Sequence, residues 1–140
     1  MSDSTSAKVA NVLKLKDIFR EKFGMKKNPD SRDPLTYCGV TNSDIVAKIA
    51  VEVEKYFGEA TKPAGQGCFF KNLFNPVYKQ VGALKKDQTF YMIELEKDIY
   101  LYCAFWPWGS DPVKTSVRLG ILSPDDKKSE ALLKEYSGKF

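Results

Sequence analysis

Histidine is absent from this chain of 140 residues. With it goes the side chain that most often serves as general base near neutral pH and as transition-metal ligand. Ser-His-Asp and Cys-His catalysis within one chain are therefore excluded. Cysteine is scarce: Cys38, Cys68 and Cys103 are far apart and form no C-x-x-C pair. A histidine-free structural zinc site would lack its fourth thiolate, so no metal site is expected. An odd cysteine count without the basic-then-apolar start of a secretory signal predicts free thiols in a reducing compartment, and the cytoplasm is the expected location. No apolar run approaches the ~20 residues that a membrane-spanning helix needs. Neither a membrane partner nor a cofactor is expected.

What is present suits one ordinary core. Hydrophobic residues make up 43% of the chain and charged residues 29%, which is far from the composition of a disordered protein. The opening MSDSTS reads as a loose tail, giving a tail over 1–6 and a single domain over 7–140. The net charge of +4 is modest and raises the expectation of a nucleic-acid partner only slightly.

Val12, Leu15, Phe19 and Phe23 recur on one stripe and Gly24 follows, which predicts a helix over 7–23. The stretch 25–40 carries two prolines and several turn formers and reads as a loop or linker. Ile45, Ile49, Val53 and Tyr56 mark a second helix, with Thr41 and Asp44 at capping-box spacing and Gly58 at its end. Cys68, Phe69, Phe70, Leu73 and Phe74 suggest a short strand, and 76–81 a helical turn.

Parity decides the next segment. Tyr91, Ile93 and Leu95 are the apolar set of one strand, and Ile99, Leu101, Cys103 and Phe105 that of the next. Both sets are odd, and directly opposed residues share a face, so an odd loop is expected, most simply 96–98. Val117, Leu119 and Ile121 define a third strand, with Ser116 and Arg118 on its other face. Ser123, Pro124, Asp125 and Asp126 form a helix start for a last helix that reaches Tyr136. The predicted class is α+β: two N-terminal helices, a mostly antiparallel meander of three to four strands, and a C-terminal helix packed on one face.

Seven aromatic residues crowd between Phe90 and Trp108. Phe90, Met92, Tyr100 and Tyr102 share the even face of the predicted hairpin, which is either covered by a helix or open to a partner. Trp106 and Trp108 bracket Pro107 on a loop that could pack over the core or act as an interface anchor. These six residues are the candidate partner-binding set. Lys16, Arg20, Lys26, Lys27, Lys85 and Lys86 are a second set, suited to single-stranded nucleic acid when combined with stacking aromatics. Glu94, Glu96 and Asp98 are the nearest thing to a carboxylate or cation-binding constellation. Ala64-Gly65-Gln66-Gly67 lacks the lysine and hydroxyl of a P-loop and reads as a turn. Cys68 and Cys103 read as small buried apolar residues. Cys38, shortly before the second helix, would be an activated thiolate only beside a helix dipole or a cation, and without a histidine it carries little expectation of catalysis.

The function expected from these features is a small non-enzymatic binding module, engaging a protein partner or a second copy of itself through the aromatic face and the Trp106–Trp108 loop. The alternatives are a weakly specific single-stranded nucleic-acid binder and, behind it, a carboxylate- or metal-dependent enzyme.

Overall fold

A computed structural model describes residues 2–28, 31–67, 75–81, 84–109 and 113–140. In chain order the elements are α1 (Asp3–Glu21), β1 (Lys26–Lys27), β2 (Thr36–Asn42), a 3-10 turn (Ser43–Ile45), α2 (Val46–Phe57), α3 (Pro76–Gln80), β3 (Thr89–Glu96), β4 (Ile99–Pro107), β5 (Lys114–Leu122) and α4 (Asp126–Tyr136). The strands form one antiparallel sheet in the order β1-β2-β5-β4-β3. The α+β class is as predicted; β1 and β2 extend the expected meander to five strands.

α1 begins earlier than its apolar stripe predicts, and residues 3–6 are its first turn rather than a tail. Ser2 is the reason: its hydroxyl accepts from the Thr5 amide at 3.2 Å, satisfying one of the donors a helix start leaves open. Thr5 is itself buried and donates to Glu96 Oε2 at 2.6 Å, tying that turn to the end of β3. The helix buries Val9, Val12, Leu15 and Phe19. At Gly24 the chain takes a φ of 60°, which a glycine adopts without a Cβ penalty.

β1 and the first five residues of β2 lie inside the stretch expected as a loop. Four consecutive residues from Thr36 to Gly39 are buried. A strand covered on both faces lacks the alternation by which strands are recognised. Thr41 is consequently a buried strand residue and caps nothing; α2 starts after a 3-10 turn without a side-chain cap.

The hairpin keeps the predicted faces by another route. Tyr91 opposes Cys103 and Ile93 opposes Leu101, so the odd sets do pair. The connection, however, is the two-residue turn Lys97-Asp98, with Asp98 at φ 62°, and the register shifts between Glu94 and Glu96. That bulge at Leu95 absorbs the extra residue that a three-residue loop would have held. α4 likewise starts two residues late, because Asp125 rather than Ser123 caps it, accepting from the Lys128 amide at 3.0 Å.

The odd face packs against α1, α2 and α4, joining Leu15, Phe19, Ile49, Val53, Leu132 and Tyr136 to Leu101, Cys103, Val117 and Leu119. Leu15, Ile49 and Leu101 are wholly buried, and burial of such a side chain contributes about 2 kcal/mol. Leu101→Ala removes volume from the centre of the sheet and costs about 2–5 kcal/mol. α3, whose start Asn75 caps as the turn signal at 76–81 predicts, packs with Leu84 on the even face over Phe90, Tyr102, Ala104 and Leu122. Both faces of the sheet thus carry a core. The short strand predicted around Cys68 and Leu73 lies outside the described residues.

Candidate binding surfaces

The aromatic set is divided by α3. Phe90 is 0% and Tyr102 5% exposed. Phe90 meets Tyr78 edge-on at 5.4 Å and stacks on Tyr102 at 6.0 Å. The Tyr102 hydroxyl shares a 2.7 Å hydrogen bond with Thr36 Oγ1, and burial pushes its pKa up to about 12. Phe90 and Tyr102 are therefore core residues and offer no contact surface. The physical reason is area: ring faces on a sheet are worth more covered than wet, and α3 supplies the cover. Met92 and Tyr100 remain half-buried at one end, where Tyr100 hydrogen-bonds the Glu94 carboxylate.

Trp106 and Trp108 form the other end with residues of β5. The Arg118 guanidinium lies 4.0 Å from the Trp106 ring centroid. Trp106 Nε1 and Arg118 Nε are both buried without a hydrogen-bond partner. Trp108 is held differently: its amide donates to the Lys114 carbonyl at 3.0 Å and its indole Nε1 to Ser116 Oγ at 2.8 Å. The residue is nevertheless 37% exposed, and Val113 at the far side of the connection is 64% exposed. Beside Arg118 a recess of about 310 Å³ is lined by Asn28, Arg32, Asp33, Thr36 and Cys38. Asp33 is committed within the fold, accepting from the Leu35 amide at 2.9 Å and Thr36 Oγ1 at 3.1 Å. Burial raises the Cys38 pKa, against the opposing pull of Arg118.

The basic set is also split. Lys16, Arg20, Lys26 and Lys27 line one cleft of about 730 Å³ between the C-terminal half of α1 and the β1–β2 edge, with Asp17, Glu21, Met25, Tyr37 and Phe140. Lys85 and Lys86 precede β3 on the opposite edge. Lys27, Gly39, Val117, Phe105 and Thr89 lie in one row across the sheet, so the two groups are separated by about 19 Å at ~4.8 Å per strand.

The acidic trio does not converge. Glu96 accepts from Thr5 and, at 3.3 Å, from Ser2, which hold its pKa below the ordinary carboxylate value, while Glu94 serves Tyr100. Among the described residues no group of three or more Cys, Asp or Glu side chains is placed to hold a metal ion. Cys103 is fully buried and burial raises its pKa, so it is a core residue; Cys68 lies outside the described residues. The Gly65 amide donates to the Lys86 carbonyl at 2.8 Å with φ at 88°, so this segment is a turn. Among the described residues no helix is long and apolar enough to cross a membrane.

Two residues of these surfaces were not anticipated as site residues. Arg118 has the even parity of Trp106, and register places Trp106 opposite Ser116, so its position was readable in the alternation of β5. Tyr37 sits in the stretch read as a loop and gave no signal. Comparison with protein-family models, with curated proteins and with solved structures finds no match to the chain.

Proposed function

We propose that the chain is a non-enzymatic interaction module whose contact surface is the Trp106–Arg118–Trp108 end of the sheet's even face, and that its partner is a protein segment carrying acidic and apolar side chains. The observation that carries this reading is Trp108: two hydrogen bonds fix it while the residue stays exposed. An indole immobilised before binding loses little entropy on contact, which is the property of an interface anchor. Charge sets the partner's sign. Arg118 lies over Trp106 and lines the neighbouring recess with Arg32, where the Asp33 carboxylate is already engaged.

The nucleic-acid reading is weaker on the same geometry. It needs basic and stacking groups in one groove, whereas the basic cleft is bounded by α1 and the exposed indole lies on the other side of the sheet. The cytoplasmic assignment rests on chemistry: Cys38 and Cys103 are free and buried, which suits a reducing compartment.

The test is selection of peptides from a displayed random library on the purified protein, repeated with Trp108→Ala and Arg118→Ala. Peptides rich in Asp or Glu with an aromatic or aliphatic anchor are expected, and Trp108→Ala is expected to abolish their binding while moving the melting temperature little. Retention of the same peptides by Trp108→Ala, or unfolding of that variant, overturns the reading. Selection of nothing, together with concentration-dependent dimers that Trp108→Ala dissolves, transfers the surface to a second copy of the chain.

A further inference from the structure

The basic cleft is independent of the tryptophan surface and is constructed differently. Four cationic side chains line it against two acidic ones, Asp17 and Glu21. Lys16 Nζ donates to the Lys139 carbonyl at 2.7 Å, which anchors the ammonium at the cleft wall and leaves further N–H donors uncommitted. Burial lowers the Lys16 pKa, and the Arg20 and Lys27 charges push the same way against Asp17. The cations are therefore close enough to repel, and a bound anion relieves that repulsion.

The second observation is Tyr37. It lines this cleft, is 2% exposed, and its hydroxyl has no hydrogen-bond partner. A buried unpaired hydroxyl is a cost that a folded chain rarely leaves standing without a use. Gly39 leaves room around it: a Cβ there would lie 3.0 Å from that hydroxyl and would collide with the Met25 side chain. Arg20 acts electrostatically on the same phenol, so the guanidinium and the hydroxyl belong to one environment.

We propose that this cleft binds a small phosphorylated ligand, a phosphomonoester or pyrophosphate group gripped by Arg20, Lys16, Lys26 and Lys27, with the Tyr37 hydroxyl donating to it. A dianion satisfies the excess of cations over Asp17 and Glu21, and Arg20 supplies the planar fork that matches phosphate oxygens. The walls favour a compact group over a continuous polymer, because α1, the β1–β2 edge and buried Phe140 bound the cleft.

Calorimetric titration of the full chain with inorganic pyrophosphate, glucose 6-phosphate and the oligonucleotide dT10 tests this. Saturable binding of pyrophosphate or the sugar phosphate is expected, weakened about tenfold or more in Arg20→Gln/Lys27→Gln and unchanged in Lys85→Gln/Lys86→Gln. Binding of pyrophosphate alone assigns the site to inorganic or diphosphate ligands, and binding of both assigns it to the phosphoryl group in general. Tyr37→Phe is expected to raise the unliganded melting temperature and to weaken the ligand, a pairing that a merely structural tyrosine would not give. No saturable binding of either short probe, equal binding by Arg20→Gln/Lys27→Gln, or tighter binding of dT10 than of both short probes overturns the proposal.

Discussion

Thr36 and Tyr102 join across a strand that neither belongs to. Thr36 on β2 and Tyr102 on β4 both oppose Gly120 of β5, and their hydroxyls meet at 2.7 Å over it. Gly120 makes the bridge possible, since a Cβ there would stand 2.6 Å from Thr36 Oγ1, 2.7 Å from the Leu35 carbonyl oxygen and 2.9 Å from Tyr102 Cε1. The carbonyl is backbone and cannot swing aside. Gly120→Ala is expected to cost about 1–3 kcal/mol, read as a fall in the urea midpoint. Gly39→Ala should cost less, because its principal obstacle is the flexible end of Met25. Equal midpoints for wild type and Gly120→Ala would dismiss the close approach.

The two ends of that bridge are not equivalent. Thr36→Val leaves the Tyr102 hydroxyl buried without a partner, whereas in Tyr102→Phe the Thr36 hydroxyl still donates to Asp33 at 3.1 Å. Stranding a buried polar group costs about 1–3 kcal/mol and losing a satisfied bond about 1 kcal/mol. Thr36→Val should therefore be the more destabilising, and denaturant unfolding of the two variants decides it. The reverse order would mean that the Tyr102 hydroxyl finds another acceptor.

Which parts of this architecture were legible follows from the range of the forces involved. α2 and the β3–β4 pairing rest on periodicity and parity, both local, and both were readable from Ile49, Val53, Tyr91 and Leu101. β2 was not, because burial on both faces erases alternation. The first turn of α1 depends on Glu96, 91 positions away from Thr5, a separation that no local pattern encodes. The same limit governs the sites. Trp108 could be singled out by its loop, but whether Phe90 and Tyr102 were surface or core turned on α3, five residues too short to carry a periodic signal. Tyr37 acquires meaning only once α1 and β1 close around it.

With no histidine, nothing in the chain changes charge strongly between pH 5.5 and 7, and stability should be flat there. The acid limb has two named contributors. Bonds from Lys22 and Lys55 hold the Glu52 pKa below 4.5, and the bond from Thr5 does the same for Glu96. The unfolded carboxyls bind protons first, so stability rises with pH in this window: the contribution is complete above 4.5 and is lost as pH falls through the lower folded values. Glu52→Gln/Glu96→Gln should flatten the acid limb. On the alkaline side Tyr102 ionises near 10.0 when unfolded but about 12 when folded, so its contribution declines as pH rises through that interval. Tyr102→Phe should soften that decline. Thermal melts across the range test both limbs, and an acid limb unchanged in the double variant would remove Glu52 and Glu96 from the account.

Arg118 and Trp106 meet on the even face of the sheet. Stacked at 4.0 Å, the guanidinium covers the indole, and a cation over a partly desolvated ring contributes about 1 kcal/mol. A lysine places a compact charge where a plane is needed, so Arg118→Lys should lose most of that contribution, almost as much as Arg118→Ala. Uncovering the ring should also shift Trp106 emission to the red, measured in a Trp108→Phe background to isolate the single indole. A variant that keeps both its midpoint and its emission would mean that Arg118 lies over Trp106 without stabilising it. In that case the arginine is held there only loosely, and an acidic partner could draw it away at almost no cost in stability.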